Sequence, residues 1–346
     1  MFPLVTIIIL NAFHTDNLIE CLNSLKETDY PNFRTIIVSF SSIDIGNLGF
    51  SNFPDLTQIK LSGKDIGPSA MHNVGLASAD PSSKYVAFLD DDTIVEKKWL
   101  SELVKCIERN DEIGAVQSKI MIYGKDNILN TNGNKANYLA VGWSEGFNTN
   151  DTRCDKIKAI SFPSGAAMIL RKSALSKIDL FDEDFFIYCD DLDVGLRMRL
   201  AGYTILYCPY SIVFHKYKFI RTKNSFYYLN RNRIFTFLKL YELKTYFLLF
   251  PPYLLYEIFV IGYAILNGYL RSVIKSYISI IINLKLIIKK RKTIKKYKII
   301  NDRCLINQLE AGINFSEISN PAVNSLLNPF LIKYKRYLLQ SKLFER

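Results

Sequence analysis

The chain has 346 residues, 49% of them hydrophobic and 13% aromatic, with 44 Lys and Arg against 33 Asp and Glu for a net charge of +11. That length supplies a large buried core, and the composition excludes a disordered chain, a collagen and a disulfide miniprotein. The six cysteines (Cys21, Cys106, Cys154, Cys189, Cys208, Cys304) form no CxxC pair and no Cys/His group at zinc spacing, as expected for a reducing compartment.

The charge is unevenly divided. Residues 1–215 hold 20 basic and 27 acidic side chains, residues 216–301 hold 18 and 2, and residues 302–346 hold 6 and 4. A nucleic-acid binder spreads Lys and Arg over a folded face. Here they interleave with the longest apolar stretches, which points to an anionic membrane surface and away from nucleic acid as a partner.

In chain order, residues 5–10 and 34–40 are β-branched apolar runs separated by helical spacing at Leu18, Cys21, Leu22 and Leu25. Strand, helix, strand predicts a parallel βαβ unit, and the first run lacks the basic flank and cleavage site of a signal peptide. Pro68 begins a predicted helix reaching about Ser78, and residues 84–89 read as a buried strand ending in Asp90, Asp91 and Asp92. Residues 96–109 read as a helix, 113–123 as a strand, and the polar, Asn-rich 124–160 as a surface excursion that shapes a cleft or a subunit contact. After the apolar run at 166–170, a helix over 190–200 shows Leu192, Leu196 and Leu200 on one face, with Gly202 as its C-terminal cap. A strand over 203–214 then leads to His215.

Residues 245–266 carry a single charge, Glu257, over about the length of a bilayer span, but Pro251, Pro252 and Glu257 argue against a straight one. Residues 270–288 are Ile-rich with interspersed Arg271, Lys275 and Lys285, and eight basic residues without an acidic one lie between Lys285 and Lys298. These charges belong either to a solvated helix or to electrostatic attachment at an anionic cytoplasmic face. The expected division is a domain over 1–235, apolar and basic membrane-associated helices over 236–300, and a tail over 301–346.

Two acidic clusters carry chemistry. In an open α/β sheet, ligands sit at the carboxyl ends of the strands, and the clustered carboxylates of YVAFLDDD repel one another unless a hard cation such as Mg²⁺ or Mn²⁺ joins them. Capping of the following helix explains them equally well. Asp190, Asp191 and Asp193 open the later helix, where the dipole favours anions, yet three carboxylates exceed one cap.

The segments VTIIILN, LIECLNSLKETDYPNFRTIIVS, GPSAMHNVGLASA, YVAFLDDDTIVEKKWL, FPSGAAMILRKSAL and LFDEDFFIYCDDLDVGLRMRLAGYTILY, followed by His215, occur in an order that resembles the inverting family 2 glycosyltransferases, of rhamnosyl- or galactofuranosyltransferase type. The resemblance covers roughly residues 4–235. It implies an α/β, mostly parallel GT-A sheet flanked by helices, with a C-terminal helical membrane-associated extension. It further implies that Asp90 and Asp92, with His215, hold Mg²⁺ or Mn²⁺ and that Asp191 is the catalytic base. By the same likeness, Asn11, Ser39, Gly67, Asn73, Asp90 and Asp91 line the donor site, and Asp190 and Gly165 lie toward the acceptor.

Where the family usually has an aspartate contacting the nucleobase, this chain has Ser39 followed by Phe40, and Ala12 and Phe13 replace an aromatic-polar pair after the first strand. The QxxRW motif of processive synthases does not occur. The expected function is therefore metal-dependent transfer of a single sugar from a nucleotide-diphosphate sugar to a lipid-linked or polysaccharide acceptor. A nucleotidyltransferase on a related fold and a catalytically silent membrane-bound assembly subunit are the alternatives.

Overall fold

The computed structural model describes all residues except 1, 12–14, 41–43, 51, 52, 54, 153–155, 218–220, 315–320, 345 and 346. Ala12, Phe13 and Cys154 lie outside the described residues.

Strands that are apolar along their whole length must be covered on both faces. The first half alternates accordingly, through β1 (Val5–Asn11), α1 (Thr15–Lys26), β2 (Phe33–Ser39), β3 (Leu56–Lys60), α2 (Gly67–Ala77) and β4 (Tyr85–Asp90). Then follow β5 (Thr93–Val95), α3 (Trp99–Ile107), β6 (Ile113–Ile122), the short strands β7 (Leu129–Thr131), β8 (Asn134–Ala136), β9 (Gly142–Ser144) and β10 (Lys158–Ala159), and β11 (Ala167–Arg171). The domain is completed by α4 (Lys172–Lys177), α5 (Asp190–Leu200) and β12 (Thr204–His215).

The sheet runs β10-β12-β6-β11-β4-β1-β2-β3, parallel except at β11 and the short β10. The apolar run at 166–170 is thus an antiparallel strand between β4 and β6. One core lies under α1 and α3, around Leu22, Trp99 and Leu103, and the other under α2, α4 and α5, around Met71, Leu175 and Met198. Gly202, at φ +89°, follows α5 in the left-handed region that ends helices. The excursion over 124–160 holds the β8–β9 hairpin, whose connecting loop packs Tyr138 and Leu139 into a third core with the C-terminal helices.

Those helices are α6 (Lys223–Leu240), α7 (Leu243–Leu266), α8 (Leu270–Ile282), α9 (Leu284–Tyr297), α10 (Asp302–Gln308) and α11 (Asn328–Gln340). Residue 235 falls inside α6, so the expected boundary lies within a continuous helix. Along α7 a buried stripe at Thr245, Leu249, Pro252, Tyr256 and Ala264 faces the protein, while Leu243, Phe247, Phe250, Leu254 and Ile258 are exposed. Glu257, the single charge of that stretch, is buried and paired with Arg233 of α6 at 2.5 Å, and it accepts a hydrogen bond from Tyr277 at 2.6 Å.

Two bases of the 285–298 run are also used internally. Lys290 pairs with Asp182 and Asp184, and Lys298 pairs with Asp302 at 2.5 Å. Lys285, Lys289, Lys292, Lys295 and Lys296 are exposed.

Candidate active site

Parallel pairing sets the ends of β1, β2 and β4 side by side, with Asn11 opposite Ser39 and Leu10 opposite Asp90. The site therefore lies at the carboxyl edge of the sheet, where helices leave room for a ligand. Ser39 Oγ donates to Asn11 Oδ1 at 2.9 Å, and Asn11 Nδ2 donates to Asp91 Oδ2 at 2.5 Å. Asn11, Ser39 and Asp91 thus form one hydrogen-bonded row. Phe40 packs at the margin of the core beneath α2.

β12 supplies the other wall. Its register against β6 slips between Cys208 and Ile212, after which residues 213–215 also pair with β5, His215 opposite Thr93. Bulges of this kind re-aim a strand end, and here the strand finishes with His215 Nε2 at 3.1 Å from Asp92 Oδ1. Asp90, Asp92 and His215 each offer one ligating atom, all within 4.8 Å of one another. Two carboxylates and an imidazole suit Mn²⁺, and Mg²⁺ with water completing its shell. His215 Nδ1 lies 3.1 Å from Asn130 Oδ1, an acceptor that orients the ring with Nε2 toward the carboxylates. Asn130 sits in the 124–160 excursion, and no sequence signal marks it.

The electrostatics fit a cation. Burial, then the neighbouring charges of Asp90 and Asp92, push the Asp91 carboxyl up to about 7 against the hydrogen bond from Asn11. Burial likewise raises Asp90. Burial alone would raise Asp92, but the hydrogen bond and charge of His215 outweigh it and hold Asp92 below its ordinary value. His215 is raised in turn, the carboxylates outweighing its burial. A divalent ion and the proton on Nε2 compete for the same lone pair.

Asp191 stands in the first turn of α5. Its Oδ2 accepts from the Gly165 amide at 3.3 Å and its Oδ1 from the Leu192 amide at 2.7 Å. The Ser164–Gly165–Ala166 turn also touches the metal side, because the Asp90 amide donates to the Ala166 carbonyl at 3.2 Å. Burial, then the adjacent Asp190, raise the Asp191 carboxyl to about 7, the range in which a carboxylate can take a proton at neutral pH. Asp190 faces inward, its Oδ2 3.6 Å from Nδ1 of the buried His72, which the sequence reading passed over.

A strained turn delivers Asp191. Phe186, Tyr188 and Cys189 all have positive φ, at 63°, 67° and 62°, a conformation that costs about 1–3 kcal/mol each unless the surroundings enforce it. The enforcing groups come from α6. Asn232 Nδ2 lies 3.0, 2.8 and 2.8 Å from the carbonyls of Phe185, Ile187 and Tyr188, and Arg231 Nη2 donates to the Phe185 carbonyl at 2.9 Å. The polar run Asn230 to Arg233 inside an otherwise aromatic helix was the available signal for these residues.

Gly67 and Asn73, donor-site residues by the resemblance, meet the segment that leads into this turn. A Cβ on Gly67 (φ +77°) would lie 2.4 Å from the Phe186 carbonyl oxygen, so the start of α2 can approach the turn only as glycine. Asn73 donates to the Phe181 carbonyl at 3.0 Å and to Glu183 at 2.9 Å, and accepts from the Phe181 amide at 3.1 Å. Its amide is spent on the LFDEDFF segment because, almost two helical turns beyond Gly67, it meets that segment rather than the strand ends.

Comparison with known proteins agrees with this geometry. A family model described as glycosyl transferase family 2 matches residues 5–178. The chain is 27% identical over 194 residues to the O-antigen chain rhamnosyltransferase WbaN of Salmonella anatum, covering 56% of this chain and 59% of that protein. It is 34% identical over 58 residues to an N-acetylglucosaminyl-diphospho-decaprenol L-rhamnosyltransferase of Mycobacterium tuberculosis, 17% of this chain and 19% of that one. The matches therefore span less than two thirds of either relative. Among solved structures, the mannosyltransferase PcManGT of Pyrobaculum calidifontis, in complex with GDP-Man and Mn²⁺, superposes with a TM-score of 0.50 at 16% identity, covering 85% of each chain. That likeness shows the GT-A fold. With the family model spanning β1 through α4, the chain belongs to glycosyl transferase family 2.

Proposed function

We propose that the chain is a metal-dependent, inverting glycosyltransferase that moves one sugar from a nucleotide-diphosphate donor to a lipid-linked glycan acceptor at the cytoplasmic membrane face. The observation that carries this reading is that one turn, residues 164–166, joins two groups: Asp90, Asp92 and His215 on the metal side, and Asp191, raised to about 7, on the other.

Asp90, Asp92 and His215 would hold Mn²⁺ or Mg²⁺, which supplies charge neutralisation for the departing diphosphate. Asp191 accepts the proton of the acceptor hydroxyl as its oxygen forms the bond to the anomeric carbon. The bond from that carbon to the β-phosphate oxygen breaks on the opposite face, its electron pair leaving with the nucleoside diphosphate, and a single displacement inverts the configuration. Asp190, beside His72, and Gly165, on Asp191, hold the base in place.

The rhamnosyltransferase relatives, one of them named for a diphospho-decaprenol acceptor, favour a lipid-linked acceptor. Membrane attachment rests on α7, whose length and composition would suffice to cross a bilayer while most of its apolar length is not buried in the protein. Its protein-facing stripe runs from Thr245 to Ala264, so α7 lies along the membrane plane with its exposed face in the lipid and the lysines of α9 on anionic head groups. Co-sedimentation with vesicles containing phosphatidylglycerol tests this: F247D with I258D abolishes it, and undiminished pelleting would refute the attachment.

Calorimetric titration of the detergent-solubilised chain with UDP, TDP and GDP, each with and without Mn²⁺, tests the enzymatic reading. One nucleotide binds only with metal, and Asp92→Ala abolishes that binding. Metal-independent binding, or none, would overturn the metal-dependent mechanism.

A further inference from the structure

Between α6, the inner face of α7 and the turn at 140–142 lies a cavity of about 190 Å³. Its walls are mainly hydrocarbon and aromatic, from Phe226, Leu229, Val260 and Tyr263, yet two guanidinium groups line it, Arg221 and Arg233. Arg233 has a side chain only 6% exposed, and its Nη2 is committed to Glu257 and to Asn230 while its Nη1 has no hydrogen-bond partner among the described residues. Arg221 donates through Nη1 to the Tyr263 hydroxyl at 3.0 Å, and among the described residues its buried Nε has no hydrogen-bond partner and it makes no ion pair. A buried cationic donor left unsatisfied is costly, and the ordinary remedy is an anion. An apolar wall around the same donor asks for hydrocarbon.

Cys189, the residue before Asp190 and Asp191, lines this cavity together with Val260 and Tyr263 of α7. The outer face of α7 carries the exposed Ile258, Ile265 and Leu266. We infer that this cavity is a binding site for the phosphate or diphosphate ester of a long-chain hydrophobic alcohol, with Arg221 and Arg233 on the phosphate and the first carbons of the chain between α6 and α7. The inference rests on the glycosyltransferase reading above and deepens it, because it aligns the parts of a lipid-linked acceptor in their covalent order. The sugar hydroxyl reaches Asp191, the phosphate meets the arginines, and the hydrocarbon continues along α7 into the membrane.

The test titrates the full chain in detergent, with EDTA present so that no diphosphate is drawn to the metal group, using farnesyl diphosphate, inorganic pyrophosphate, farnesol and phosphatidylglycerol as separate probes. Farnesyl diphosphate binds saturably, and the other three bind at least about tenfold more weakly, since each lacks the head group or the chain that the cavity matches. Arg221→Gln weakens farnesyl diphosphate by about tenfold or more, the scale of one lost charged hydrogen bond, and Val260→Trp, which fills the cavity, abolishes binding. Nucleotide binding with Mn²⁺, in EDTA-free aliquots of the same preparations, reports whether the variants are folded.

Equal binding of pyrophosphate, displacement by phosphatidylglycerol, or retention of farnesyl diphosphate by both folded variants would overturn the inference. If a nucleoside diphosphate binds with Mn²⁺ but farnesyl diphosphate does not, the cavity assignment falls and the glycosyltransferase reading stands. If farnesyl diphosphate binds as described and no nucleotide does, the glycosyltransferase reading falls and the lipid-phosphate site remains.

Discussion

Asp90, Asp91 and Asp92 at the end of β4, and Asp190, Asp191 and Asp193 at the start of α5, are near-identical clusters of negative charge in the sequence. In the fold they dispose of it differently. The first cluster keeps two carboxylates directed at one histidine and gives the third to Asn11. The second is shared out: Asp190 faces His72, Asp191 accepts from the Gly165 amide, and Asp193 is fully buried against Arg197 at 2.7 Å and Lys239 at 2.8 Å. A cluster that holds a ligand leaves several acids pointing at one space, whereas a cluster that positions a single reactive group sends its other members toward partners of their own.

The strongest way to break this comparison is to remove the reactive member of the second cluster. Asp191→Asn lowers the turnover number by about 10²–10⁴, the usual worth of a positioned base, while metal-dependent nucleotide binding persists. Near-normal transfer by this variant would show that the two clusters do not divide the work as argued.

The structural member is tested through its partner. Lys239 is 1% exposed and pairs with Asp182 at 2.5 Å as well as with Asp193. Lys239→Met leaves two buried carboxylates without that cation and costs about 3–5 kcal/mol of stability in denaturant unfolding. A loss under 1 kcal/mol would mean that Arg197 and Lys290 suffice.

On the metal side, Asn130→Ala frees the His215 ring and weakens Mn²⁺ binding about 10–100-fold in calorimetric titration. Unchanged affinity would deny Asn130 an orienting role.

The smallest effect is that of pH. With Asp191 raised to about 7, the rate rises about tenfold per unit up to that value and is flat above it, because only the ionised carboxylate can take the proton. Stability responds in the opposite sense. A carboxyl raised in the folded state contributes stability that is fully present below its ordinary value of 3.8 and is lost as pH rises through about 7. A rate that keeps its neutral-pH value down to pH 5 would separate Asp191 from the proton transfer.

Much of this architecture was legible in the chain. Unbroken β-branched runs, helical spacing at Leu18, Cys21, Leu22 and Leu25, and Gly202 after α5 marked the βαβ units and the end of the second acidic helix. Strand-end position then marked Asp90 and Asp92, and the family likeness added Asp191 and His215. Less visible was β11, because a five-residue apolar run does not announce its direction. The resemblance set Asn73 in the donor site, and its hydrogen bonds to Phe181 and Glu183, 108 and 110 residues away, are set by tertiary packing. Glu257 read as an obstacle to membrane burial, and only the packing of α7 on α6 supplies Arg233 to neutralise it.

What the sequence determined by itself is local and periodic: which segments are strands and helices, which strand ends carry acids, and where the excess positive charge is gathered. What tertiary structure alone decided is the state of each charge. Whether a carboxylate binds a cation, takes a proton or vanishes into an ion pair depends on neighbours far away in the chain, as Asp92 depends on His215 and Asp193 on Lys239. Interaction energies between charges fall with distance in space and with exposure to water, and neither quantity is written along the chain.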